Sequence, residues 1–320
     1  MQNLPGWMVL WQCLSALVRI CAQAASVLPL VTALTLLAGK RENPRLCHLC
    51  CREMVRLNLI LALLGPVQLI SDVSFQLSLV HGAIRLPENF TPWMPVMLPY
   101  SSALAAWLAG IACLYIQLLV SRPAGDANPA LSVSNIRMSR TIIWGGFAVV
   151  LCFFAAQALP SCPFAGLPEG LTLTRAFVAI VSATLHAFFS YLTPAGAIAL
   201  CFFSRREDLL QDWGCTEKDE LQGARWFSLW AMVGYIPYCL DRWGVSLGFA
   251  LRPGGMPPAI LARVPSLTML TLAVLCWVIL FYRRSSRKLY WLNSLGLLLL
   301  TLGEILPLIS FPWCISCNGP

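Results

Sequence analysis

The chain has 320 residues, of which 58% are hydrophobic and 11% charged, with a mean hydropathy of +0.72. Too little polar surface remains to coat a core of that size in water, which excludes a water-soluble domain. The net charge of +8 does not mark a nucleic-acid binder either, because the Lys and Arg residues sit in short loops between apolar runs rather than along one basic groove.

Eight apolar runs fill the chain in order: Trp7 to Leu37, Val55 to Val80, Pro95 to Val120, Thr141 to Leu159, Ala176 to Ser204, Trp226 to Leu251, Ala259 to Tyr282, and Leu289 to Trp313. Each is about the length of a bilayer-crossing helix, and only a closed helix satisfies its backbone groups in lipid. The tethers between them are too short for a soluble enzyme domain. The expected fold is therefore all-α, a polytopic transmembrane helix bundle forming one integral-membrane domain over residues 1–320. It is receptor-like in its first seven helices, with an additional C-terminal hydrophobic segment that gives eight spans if it crosses.

Loop charge predicts the orientation. The first loop carries Lys40, Arg41, Arg45 and Arg52, the third Arg122, Arg137 and Arg140, and the fifth Arg205, Arg206, Lys218 and Arg225. The seventh holds Arg283, Arg284, Arg287 and Lys288, whereas the even loops are poor in basic residues. Odd loops then face the cytoplasm and the N-terminus lies outside or in a lumen, at the plasma membrane or an endomembrane. The sequon Asn89-Phe90-Thr91 falls in an even, outer loop, which agrees with glycosylation at Asn89. The first run is too long for a cleavable signal peptide and contains Arg19, so it serves as its own insertion signal.

An outer N-terminus followed by seven spans describes a G-protein-coupled receptor. The eighth run is apolar on all faces, unlike the amphipathic helix that often follows the last span of a receptor. Of the 14 cysteines, Cys21, Cys113, Cys152, Cys201, Cys239 and Cys276 lie within apolar runs, where they pack. Cys47, Cys50 and Cys51 with His48 invite a zinc site, but a juxtamembrane cluster of this kind more often carries palmitate or is inert. No cysteine occurs from Arg52 to Ala112, so the disulfide that ties the third helix to the second outer loop in most rhodopsin-like receptors cannot form. The third span has no Asp-Arg-Tyr, and the seventh has no Asn-Pro-x-x-Tyr.

What remains resembles the type 2 (bitter) taste receptors, which lack the same disulfide and motifs. The second helix reads Asn58-Leu59-Ile60-Leu61 and runs on to Gly65 and Gln68, similar to that family's Asp-Leu-Ile-Leu pattern. Trp107-Leu108-Ala109-Gly110, leading to Tyr115 and Gln117, resembles its third helix. The basic stretch from Asn135 to Ile142 resembles the entry to its fourth, and Pro194 with Ser204-Arg205-Arg206 the kink and exit of its fifth. The resemblance covers roughly residues 55 to 240. It departs from the family at the first-helix Asn, the seventh-helix His-Ser pattern, the placement of the sequon and the extra C-terminal run. Vomeronasal type 1 receptors resemble the chain to a similar degree.

The resemblance implies a ligand cleft among the third, fifth, sixth and seventh helices, in the outer half of the membrane. There Ser102, His186 and Tyr238 would meet a small, mostly apolar ligand. It also implies that Arg137, Arg140, Arg205 and Arg206 face a heterotrimeric G protein. From the residues alone, polar groups inside spans are the candidate functional positions, because each is costly in lipid. Gln68, Asp72 and Gln76 form a stripe at i, i+4, i+8 on the second helix, and Glu304 lies within the last run. Pro66, Pro194, Pro237 and Pro307 predict kinks.

The sequence calls for no enzyme and no cofactor. Three histidines in separate regions make no haem, His-Glu-x-x-His or desaturase constellation, and no Walker loop or dinucleotide fingerprint occurs. Two functions of different class remain. One is a multi-pass chemosensory receptor that couples a small molecule to a G protein across the lipid bilayer. The other is an eight-span non-receptor protein, a carrier or a scaffold.

Overall fold

The computed structural model describes residues 6–39, 44–73, 93–120, 133–158, 173–204, 216–251, 258–261, 263–282 and 290–310. Among these residues no strand occurs. The helices are α1 (Gly6–Gly39), α2 (Pro44–Ala62), α3 (65–73), α4 (Trp93–Val120) and α5 (Val133–Ala158). They continue as α6 (Leu173–Ser204), α7 (Glu217–Ala250), α8 (Pro258–Leu261), α9 (Val264–Tyr282) and α10 (Tyr290–Ser310).

Five described segments are long and apolar enough to cross a membrane: Cys13–Ala38, Cys50–Val73, Leu98–Leu119, Arg140–Gln157 and Val264–Tyr282. Shorter apolar stretches, Ala187–Phe203 and Tyr290–Leu306, lie within α6 and α10. The fold is thus a helical membrane bundle, as composition requires.

Element boundaries depart from the apolar runs in ways that local chemistry explains. The second helix starts at Pro44, well before Val55, because proline is pre-organised for a first helical position where its missing N–H costs nothing. The sixth starts at Glu217 rather than Trp226. Thr216 caps it in a capping box with Asp219, and Glu217, Asp219 and Glu220 sit in the first turn, where the helix dipole favours acids. This polar extension is helical but not membrane-like, so hydropathy alone misses it. The expected seventh run divides into α8 and α9 about a turn in which Arg263 N donates to Ile260 O at 3.0 Å. Pro265, early in α9, falls where the absence of an N–H is tolerated.

The chain forms two compact units, Cys21–Ala187 and Met1–Ile20 with Phe188–Pro320. In the first, α1 is buried throughout Ala24 to Pro29. Leu36 of α1, Cys51 of α2 and Ile142 of α5 pack as one apolar cluster, and the Cys51 thiol points to Thr32 O at 3.5 Å. Gly146 of α5 lies against the Pro29 backbone, where little room exists for a side chain.

In the second unit, α9 and α10 pack antiparallel. Trp277 Nε1 donates to Asn293 Oδ1 at 2.9 Å near the start of α10, and Ser266 Oγ donates to Gly303 O at 2.6 Å further along. Asn293 Nδ2 also donates to Ala197 O of α6 at 3.1 Å. Helices α7 and α10 run parallel, since Tyr290 Oη bonds Glu220 at 2.7 Å at their starts and Tyr235 Oη bonds Glu304 at 2.5 Å deeper in. Helices α6 and α7 approach at small residues. A methyl group at Gly196 would meet the Ala231 and Trp230 backbone, and one at Gly234 would meet Thr193 and the Phe189 carbonyl. Small residues let membrane helices come this close, and Thr193 Oγ1 reinforces the contact by donating to Ala231 O at 2.8 Å.

Candidate functional site

Besides the Asn293 bonds, each unit holds a polar constellation inside its apolar helices among the described residues. The first is built on a break in the second span. Leu63 and Leu64 form a turn between α2 and α3, with Leu64 N bonding Leu61 O at 3.1 Å in a tightened turn. Pro66 has no N–H and so cannot supply the donor that Ala62 O would receive in a continuous helix. Trp107 of α4 supplies it instead: its Nε1 donates to Ala62 O at 2.7 Å. The same indole is 1% exposed, stacks on Phe153 of α5 with centroids 4.2 Å apart, and lies over Gly65, where any Cβ would overlap it. One side chain therefore joins α2, α3, α4 and α5.

Two further buried polar groups lie in the same unit. Gln117, about 15 Å along α4 from Trp107 by helical rise, donates to Thr141 O at 3.3 Å and Ile142 O at 3.2 Å of α5. Asn58 lies one turn before Ala62 on α2. It is fully buried, and neither its Nδ2 nor its Oδ1 has a hydrogen-bond partner among the described residues.

The second constellation centres on Glu304 of α10. Its Oε1 accepts from Tyr235, which is buried at 5% exposure. Tyr235 meets Tyr238 edge-on, with centroids 5.2 Å apart and planes at 84°. The Arg242 guanidinium lies over the Tyr238 ring, 5.4 Å from its centroid. Acid, two aromatic rings and a cation follow one another toward the C-terminal end of α7.

The structure joins some of the sequence-predicted residues and separates others. Gln68 Nε2 reaches Asp72 Oδ2 at 3.4 Å, as the helical stripe implied; Gln76 lies outside the described residues. Ser101 and Ser102 both donate to Leu98 O at 2.9 Å, so their hydroxyls serve their own helix. Tyr238 belongs to the Glu304 constellation. Arg140 is exposed at the N-terminal part of α5. The side chains of His186, Arg137 and Pro307, and all of Asn89, Arg205 and Arg206, lie outside the described residues.

Sequence reasoning named Glu304 without its partner. Tyr235 was not recoverable as that partner, since the sequence does not say which helix Glu304 meets. The indole bond to Ala62 was not recoverable, because nothing in a sequence says which neighbouring helix reaches a proline break.

No known protein family, curated protein or solved structure matches the chain. The fold and composition define a class, a helical integral membrane protein.

Proposed function

We propose that the chain is a multi-span membrane receptor that senses a small, mostly apolar molecule and relays its binding to a heterotrimeric G protein. The observation that carries this is the tryptophan-bridged break at Pro66. A receptor needs an element inside the bilayer with two discrete arrangements that a ligand can bias. The Trp107–Ala62 bond across a proline break supports such a reading, because a shift of α4 against α2 would break it as a unit. Asn58 Oδ1, one turn along the same face, is a second buried acceptor without a partner, so a one-turn shift of the indole would exchange one bond for another. Asn58, Gly65 and Trp107, three of the residues on which the resemblance to taste receptors rests, belong to this element. In this orientation the N-terminus and Asn89 lie outside, and Arg137, Arg140, Arg205 and Arg206 present a basic inner face.

The test is a calcium assay in cells bearing a promiscuous G protein, screened with small apolar compounds. Replacing the four arginines by Ala should abolish the response to any agonist found, with the surface level of protein unchanged. A variant that responds like the parent would remove the G-protein role.

A second reading, an eight-span carrier, is favoured by a different observation. Helix α10 is fastened to α6, α7 and α9 through Asn293, Glu304 and Gly303, as an integral span would be, and it brings an acid into the membrane. Uptake by proteoliposomes with no G protein present would favour this alternative.

A further inference from the structure

Proline inside a helix leaves the carbonyl four residues earlier without its helical donor, and hydrocarbon offers no solvent to replace it. At two such breaks a neighbouring helix supplies the donor. Trp107 Nε1 serves Ala62 O before Pro66, and Ser266 Oγ serves Gly303 O before Pro307. Pro29 makes a third break, within α1, and the carbonyl it frees is that of Ala25, which is fully buried. The nearby α1 hydroxyls are engaged by their own helix: Ser26 Oγ donates to Ala22 O and Thr32 Oγ1 to Leu28 O.

Helix register points to what faces Ala25 O. The Cys51 thiol of α2 meets Thr32 O of α1 at 3.5 Å. Helix α1 ends at Gly39 and α2 starts at Pro44, so the two run antiparallel away from that contact. Seven residues make about two turns and return a helix to nearly the same face. Two turns back along α1 from Thr32 is Ala25, and two turns on along α2 from Cys51 is Asn58. Asn58 is fully buried, and its Nδ2 and Oδ1 have no hydrogen-bond partner among the described residues. Small side chains, Ala22 and Ser26, stand around Ala25 and leave room beside its carbonyl.

We propose that Asn58 and the Ala25 carbonyl form a buried water site that ties α1 to α2 at the Pro29 break, water accepting from Asn58 Nδ2 and donating to Ala25 O. The ligand class follows from the donors and acceptors present. The amide offers N–H donors and an oxygen acceptor, whereas the Ala25 carbonyl offers only an acceptor. A bare cation would leave Nδ2 unpaired and bring a charge that neither neutral group compensates. An anion would face two carbonyl oxygens. Water donates and accepts, and buried waters are held by about two to four polar groups of this kind. Because the amide has no protein acceptor within bonding distance, its link to Ala25 O runs through water and not directly. The site rests on packing and register alone, whether the bundle signals or carries.

The experiment uses the full chain, unfolded reversibly in micelles, with Asn58→Leu, Pro29→Ala and the double variant. Leu is close to Asn in shape and carries no polar side-chain atom. If water links the amide to Ala25 O, Asn58→Leu strands a buried carbonyl and should raise the unfolding equilibrium constant about tenfold. In Pro29→Ala, residue 29 regains the N–H that reaches Ala25 O, and Asn58→Leu should then leave the constant unchanged or lower it. An amide buried with no partner at all predicts the opposite sign. Asn58→Leu would then stabilise both backgrounds equally, because it removes an unsatisfied group, and that result overturns the proposal. Water itself is read by NMR of the parent labelled with isotopic asparagine, the Asn58 amide signal being assigned by its loss in Asn58→Leu or Asn58→Ser. A cross-peak to long-lived water is expected in the parent and should weaken in Pro29→Ala. No such cross-peak, or an equal one in Pro29→Ala, would show that water does not bridge the two groups and equally overturns the proposal. If Pro29→Ala is not monodisperse, the sign of the Asn58→Leu effect and the parent cross-peak decide. No G protein enters these measurements, so the receptor reading stands or falls separately by the calcium assay.

Discussion

At the scale of single residues, the chain answers a proline-made defect with one indole. Ala62 O loses its helical donor to Pro66, and Trp107 Nε1 replaces it at 2.7 Å. A buried carbonyl left unpaired costs about 1–3 kcal/mol, and membrane interiors offer no water to relieve it. Trp107→Phe keeps most of the ring and its stack on Phe153 but removes the N–H, so it should destabilise the protein by about 1–3 kcal/mol. In a Pro66→Ala background, residue 66 regains an N–H that can reach Ala62 O, and the same change should cost about 1 kcal/mol less. A double-mutant cycle by reversible unfolding in micelles measures the coupling. Strictly additive effects would show that the indole bond does not substitute for the missing helical one. Ser102 shows the opposite economy of polar groups. Its sequence context suggested a hydroxyl offered to a ligand, yet it bonds back to Leu98 O, as serines commonly do within membrane helices. Type and position mark such a residue as interesting, but only the rotamer decides whether its hydroxyl is free.

At the scale of elements, glycine sets how closely helices approach. Gly196 and Gly234 stand where α6 and α7 bring backbone against backbone, and an added Cβ at either would strike main-chain atoms that cannot move aside. Gly196→Ala and Gly234→Ala should each destabilise the C-terminal unit by about 1–3 kcal/mol through overpacking. Gly244 and Gly248, on the same helix, have open space around the site of a Cβ. Alanine there should be neutral or stabilising by up to about 1 kcal/mol through helix propensity. If all four variants melt alike, the α6–α7 contact is looser than described. The sequence made the apolar helices legible, since their period and length are forced by the bilayer. It left illegible what lies outside hydropathy: the polar first turns of α7, nucleated by the Thr216 capping box, and the division of the seventh run at Arg263. The candidate site was half legible. An acid at position 304 of an apolar run announces itself, whereas the bonds of Tyr235 and Gln117 and the burial of Asn58 depend on which helix faces which.

At the scale of the whole chain, the number of crossings fixes on which side each end lies, and α10 decides that number. It has 21 residues, enough at 1.5 Å per residue for a bilayer core of about 30 Å. Within its unit it is antiparallel to α9 through Trp277–Asn293 and Ser266–Gly303, and parallel to α7 through Glu220–Tyr290 and Tyr235–Glu304. If α7 runs outward from a cytoplasmic start, as the basic fifth loop predicts, α10 runs outward too and ends outside. The basic cluster Arg283, Arg284, Arg287 and Lys288 precedes it, which holds that end in the cytoplasm by the same rule. An epitope tag placed after Pro320 should therefore be stained in intact cells, or be protected within sealed microsomes if the protein resides in an internal membrane. Cys50, beside the basic first loop, should react with a membrane-impermeant maleimide only after permeabilisation at the cell surface. The two reporters test different ends of the same alternation. A tag that needs permeabilisation while Cys50 stays protected would mean that α10 does not cross, leaving seven spans and the receptor plan in its simplest form. Cys50 reacting in intact cells would invert the entire orientation and, with it, the basic inner face on which the G-protein proposal depends.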